Sequence, residues 1–124
     1  MKFEIKSQSS NKITFIKANG KTENFDDLLA LAKKYYLLIR NENNTRVVID
    51  ETNLDLLNSI LDQTKLVNHF IEDEYFIGLK QFKIAIIIDK DFTMISKFWE
   101  TFSYNRGYNF KVFLEIETAL EWLK

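Results

Sequence analysis

The sequence predicts an α/β fold: a small mixed sheet of about five strands covered by four amphipathic helices, in the order ββαβαβαβα. Three observations carry that expectation. Two stretches near the N-terminus alternate apolar and polar residues, as half-buried strands do. Two later apolar runs, at 47–49 and 82–88, are rich in β-branched residues, and a shorter apolar stretch follows at 110–113. The segments between and after those runs repeat apolar residues at helical spacing.

In chain order, Phe3 and Ile5 alternate with Lys2, Glu4 and Lys6, which predicts a first strand. The polar run from Ser7 to Asn11 reads as a turn, and Ile13, Phe15 and Lys17 alternate with Thr14 and Ile16 in a second strand closed by Asn19 and Gly20. So short a link predicts an antiparallel hairpin. Asn24 suits a helix N-cap, with Asp26 and Asp27 where the macrodipole favours acids. Phe25, Leu28, Leu29, Ala32, Tyr35, Tyr36 and Ile39 then form one stripe, and the polar run Asn41 to Asn44 ends the helix.

Val47-Val48-Ile49 predicts a strand buried on both faces and ending at Asp50-Glu51. Thr52 or Asn53 is expected to cap the next helix, with Leu54, Leu57, Ile60, Leu61, Val67 and Ile71 as its apolar positions. Asp62-Gln63-Thr64-Lys65 blurs that pattern. The run Phe82 to Asp89 is apolar almost throughout and predicts an interior strand of a parallel sheet. Asp91 is expected to cap a helix bearing Phe92, Ile95, Phe98, Trp99 and Phe102, stopped by Gly107. Phe110 to Phe113 is the last strand, and Ile116, Ala119, Leu120 and Leu123 stripe a closing helix. Alternation of strand and helix implies right-handed crossovers and parallel pairing beyond the hairpin.

The chain's 124 residues fit a single domain, 1–124, and its 46% hydrophobic content suffices for a core. There is no proline, low-complexity linker or repeat. The absence of cysteine excludes disulfides, thiolate metal sites and thiol nucleophiles, and suits a reducing compartment. Seventeen basic against eighteen acidic residues leave no field that favours nucleic acid. With no apolar run of membrane-spanning or signal-peptide length, the cytoplasm is the expected location.

The run KIAIIIDKDFTMISKFWETFSYNRGYNFKVFLEIETALEWL, from Lys83 to Leu123, resembles the SpoIIAA-like, STAS-related proteins. The resemblance is carried by the strand Lys83–Asp89, the Gly107 turn, Val112-Phe113 and the closing Ala119-Leu120-Glu121-Trp122-Leu123. It implies similarity to sporulation anti-sigma-factor antagonists, and a broader fold similarity to CRAL-TRIO lipid-binding domains. Those antagonists carry a phosphorylatable serine in an Asp-Ser-Ser-Gly motif at a helix start. Here Asp50-Glu51-Thr52-Asn53 stands in that place, without the serine pair or the glycine, and Thr52 reads as a helix cap.

Catalytic motifs are missing. His69 is the one histidine, so a multi-histidine metal site within the chain is excluded, and the imidazole reads as a helix-surface or partly buried side chain. No two glycines lie close enough to build a phosphate loop, and no nucleophile elbow or dinucleotide fingerprint is present. Ligands of open α/β sheets bind beyond the C-terminal strand ends, where Asp50, Glu51, Asp89, Lys90 and Asp91 are expected. Carboxylates converging there could hold Mg²⁺, although solvated loop ends and a helix cap account for the same residues. The segment Phe92–Tyr104 is unusually aromatic, with Phe98 and Trp99 prominent. It reads either as deep core or as an apolar surface for a second subunit or an acyl chain.

The function expected is therefore a non-enzymatic regulatory or protein-interaction module, working without cofactor on a protein partner or as a homodimer. The alternative is a domain that binds a lipid or small molecule in an apolar pocket near the aromatic helix. Asp50, Thr52, Asp89, Asp91, Phe92, Phe98 and Trp99 are the candidate contact residues.

Overall fold

The computed structural model describes residues 3–57, 60–72, 74–90 and 93–124. Five strands form one sheet in sequential order: β1 (Phe3–Ser10), β2 (Ile13–Thr22), β3 (Arg46–Leu56), β4 (Lys83–Ile87) and β5 (Asn109–Phe113). β1 and β2 pair antiparallel, and every later neighbour is parallel. The helices are α1 (Phe25–Glu42), α2 (Ile60–Glu72), α3 (Thr93–Arg106) and α4 (Ile116–Leu123), with a 3₁₀ helix at Glu74–Gln81. The predicted class and element order are therefore observed.

β4 lies in the interior, between β3 and β5, with Ile84, Ala85 and Ile87 buried. Residue parity sorts the two faces of the sheet. Val47, Ile49 and Ile84 join Ile16 and Ile39 under α1, whereas Val48, Ala85 and Ile87 pack with Ala119 and Leu123 of α4. Hence α1, α2 and α3 cover one face and, among the described residues, α4 alone closes the other.

Three local expectations are corrected. The hairpin is tighter and longer than a turn over residues 7–11 allows. Asn11 (φ 52°) and Lys12 (φ 66°) alone reverse the chain, and Ser7–Ser10 pair with Ile13–Ile16. Two successive positive φ values match the twist of the flanking strands, so an exposed polar edge can continue the ladder. β2 likewise runs past Gly20 to Thr22.

The largest correction concerns β3. It does not end at Asp50-Glu51, and neither Thr52 nor Asn53 caps a helix; the strand continues to Leu56. The prolonged β2 supplies its partner, with Asn19 opposite Asn53 and Thr22 opposite Leu56. Between Lys17 and Asn19 the register shifts, so that β3 takes one residue more than β2 to cover the same length. Such a bulge re-aims the side chains beyond it. Ile49 and Glu51 face α1 before it, and Leu54 and Leu56 face the same layer after it, Leu54 buried with Leu31, Ala18 and Phe3. The apolar pattern at 54–57 thus belongs to a strand with a skipped beat, and Leu57 is exposed.

At α1 the expected cap forms: Asn24 Oδ1 accepts from the backbone N–H of Asp27 at 2.9 Å. Asp27 in turn accepts from the N–H of Glu23. Asn43 closes the helix in the left-handed conformation, donating to the Ile39 carbonyl. Gly107 (φ 82°) ends α3, and the N–H of Tyr108 returns to Ser103 O at 2.9 Å.

Candidate functional site

The face covered by three helices contains a cavity of about 120 Å³. Its wall is mainly aliphatic and aromatic, from α1, β3, β4 and β5, and five residues bring polar atoms to it: Tyr35, Glu51, Gln63, Ser96 and Trp99. Ordinary strand alternation from Val47 and Ile49 brings Glu51 to this face, at the point where the strand changes register. Tyr35 sits on the same stripe as Leu28, Leu31 and Ile39, three to four residues apart along α1.

Two hydrogen-bonded pairs organise these groups. The Tyr35 hydroxyl donates to Glu51 Oε2 at 2.7 Å. The Trp99 indole N–H donates to Gln63 Oε1, also at 2.7 Å. An indole nitrogen can only donate, so the amide must present its oxygen to Trp99, which turns its NH₂ group elsewhere. Gln63 is 1% exposed, and among the described residues its Nε2 has no hydrogen-bond partner. A buried polar group without a partner costs about 1–3 kcal/mol, so the orphan donor is the most unusual feature of the cavity.

Burial in this apolar wall pushes the Glu51 carboxyl up to about 7. The hydrogen bond from Tyr35 opposes the rise, and the negative charge of Asp50 adds to it. Tyr35 is held well above its ordinary range, first by burial, then by the neighbouring charge and hydrogen bond of Glu51. Tyr35 therefore stays neutral at physiological pH, while Glu51 changes charge near neutrality.

The sequence-derived candidates fall in several places. Trp99 reaches the cavity. Phe98 meets the Trp99 ring edge-on at 6.1 Å and lines a shallow groove between α2 and α3 with Val67, Met94 and Phe102. Asp50 lies within β3, where its Oδ1 accepts from the Thr52 backbone N–H at 3.0 Å and from the Thr52 hydroxyl at 2.7 Å. Thr52 is thus an exposed strand residue bonded across the bulge. Asp89 is exposed just beyond β4. Asp91 and Phe92 lie outside the described residues, as does the expected cap at Asp91. Among the described residues, no three His, Asp or Glu side chains gather as a metal site requires. His69 is partly buried against the Phe25 ring, centroids 5.5 Å apart.

Sequence reading singled out neither Tyr35 nor Gln63 for function, and placed Glu51 at an open strand end. One signal did exist. The stretch that blurs the apolar stripe of α2 is where Gln63 takes an inward position, with Leu66 buried three residues on and Leu61 exposed.

No protein-family model matches the chain, and no curated protein matches it in sequence. Among solved structures it is similar to an anti-sigma factor antagonist from Mycobacterium paratuberculosis, with a TM-score of 0.64 and 10% identity over 98% of this chain and 93% of that one. It is also similar to an uncharacterized protein of the DUF3478 family with a SpoIIAA-like fold, from Shewanella loihica PV-4. There the TM-score is 0.55 and the identity 22%, over the same shares of the two chains. The chain has the SpoIIAA-like, STAS-related fold.

Proposed function

We propose that this chain is a non-enzymatic regulatory module of the STAS-like type, acting in the cytoplasm through protein contacts over the outer face of α3. The observation that carries this reading is the exposure of large apolar side chains on that helix. Met94, which lines the groove that holds Phe98, is 82% exposed, and Tyr104 on the same helix is 88% exposed. Apolar groups left in water are common singly, but two large ones on one helix, one of them in a groove, are what a contact surface offers. Lys97 and Arg106 rim the same groove, so a partner with acidic residues around an apolar centre, or a second copy of the chain, would suit it. The resemblance to an anti-sigma factor antagonist supports the regulatory class. No helix among the described residues is long and apolar enough to cross a membrane.

The test places a photo-crosslinking benzoylphenylalanine at position 94 and, as control, at the exposed edge residue Ser7, in the host cell. A discrete protein adduct from position 94 alone is the expected result. Equal, diffuse labelling from both positions would remove the basis for the reading.

A second reading, a small-molecule or lipid-binding domain with its pocket beneath α3, is favoured by the cavity that Trp99 reaches. Native mass spectrometry of protein purified from its host tests it: a retained adduct supports the chamber.

A further inference from the structure

With the cavity beneath α3 taken as a binding chamber, a reading on which the assignment of its occupant rests, three observations constrain that occupant's chemistry. The cavity measures about 120 Å³, comparable with the roughly 150 Å³ of an apolar cavity that accepts a single benzene ring. Its wall is overwhelmingly hydrocarbon. The Gln63 amide, fixed by Trp99, holds a buried donor that no described residue satisfies. We propose that the cavity takes a compact apolar molecule bearing one neutral carbonyl oxygen, which accepts a hydrogen bond from Gln63 Nε2.

Size and polarity both derive from the site. A long acyl chain exceeds the volume, and a charged head would have to leave water for a largely apolar wall. A carboxylate would also meet the Glu51 carboxyl, which lines the same space. A ketone, ester or amide oxygen satisfies the donor without either penalty, and its hydrocarbon part replaces water along the wall. Recognition of this kind discriminates strongly, because a molecule lacking the oxygen leaves the Gln63 donor unmet.

Amide-resolved NMR on the full chain tests the proposal with cyclopentanone and cyclopentane, two rings of nearly equal size that differ in one oxygen. Cyclopentanone is expected to shift the Gln63 side-chain NH₂ and the Trp99 indole N–H, and to bind at least about fivefold more tightly than cyclopentane. Gln63→Leu should erase that preference while cyclopentane still binds. Contacts between the cyclopentanone ring protons and the Gln63 NH₂, seen in the unaltered protein, give the same answer should the variant fail to fold. Equal affinity for the two rings would overturn the carbonyl assignment and leave the chamber standing. Absence of binding by either ring would remove both.

Discussion

The two faces of this sheet share strands and near-identical β-branched residues, yet they are finished differently. On one, the eight-residue α4 sets Ala119 and Leu123 directly on Val48, Ala85 and Ile87. Small residues on both sides let backbone approach backbone, and the buried cluster there is hydrocarbon alone. On the other, α1, α2 and α3 stand over the strands on long side chains, and the cavity with Tyr35, Glu51, Gln63 and Trp99 lies between them. Close packing serves stability, whereas a polar pocket in an apolar wall costs stability. The difference teaches where this chain gives up close packing: beneath the three-helix layer.

The largest expected effect lies on the tight face. Leu123→Ala should cost about 2–5 kcal/mol, read from the urea midpoint, because α4 has no second helix to relax into the gap. Next comes the open face and its carboxyl. Glu51 rises from an ordinary 4.5 to about 7, so between those values the folded chain holds a proton that the unfolded chain has released. Stability is then greatest at the acid end of that window and declines as pH rises through 7, by up to about 3 kcal/mol. Urea unfolding at pH 5 and pH 8 measures this, and Glu51→Gln should flatten the dependence.

A matched pair sharpens the comparison. Ala85→Leu overpacks the α4 face and should cost about 1–3 kcal/mol, whereas Ala32→Leu, on the cavity wall, should stay within about 1 kcal/mol of the parent. Equal costs would mean that the two faces are packed alike. A small effect, outside both faces, is Asn24→Ala, expected to cost about 1 kcal/mol by thermal unfolding through loss of the α1 cap.

Much of the architecture could be read from local pattern. Period-two alternation marks β1 and β2, the continuous apolar run marks β4, and the Asn24 cap with its acidic first turn marks α1. The β3 extension could not be read so easily. Leu54 and Leu57 fit a helix stripe as well as Leu54 and Leu56 fit a strand, and a bulge breaks the strand's own alternation at Glu51–Thr52. Asp50, Thr52 and Asp89 were legible only as polar residues near strand ends. The bond between Asp50 and Thr52 across the bulge depends on a register that β2 imposes.

Fold class, element order and the apolar positions of most elements follow from the order of residues, because helix and strand periods and caps are short-range properties of the chain. The cavity, the orphan amide of Gln63 and the raised carboxyl of Glu51 do not. They arise where residues from α1, β3, α2 and α3, dozens of positions apart, enclose the same space, and only packing decides which polar groups are cut off from water there.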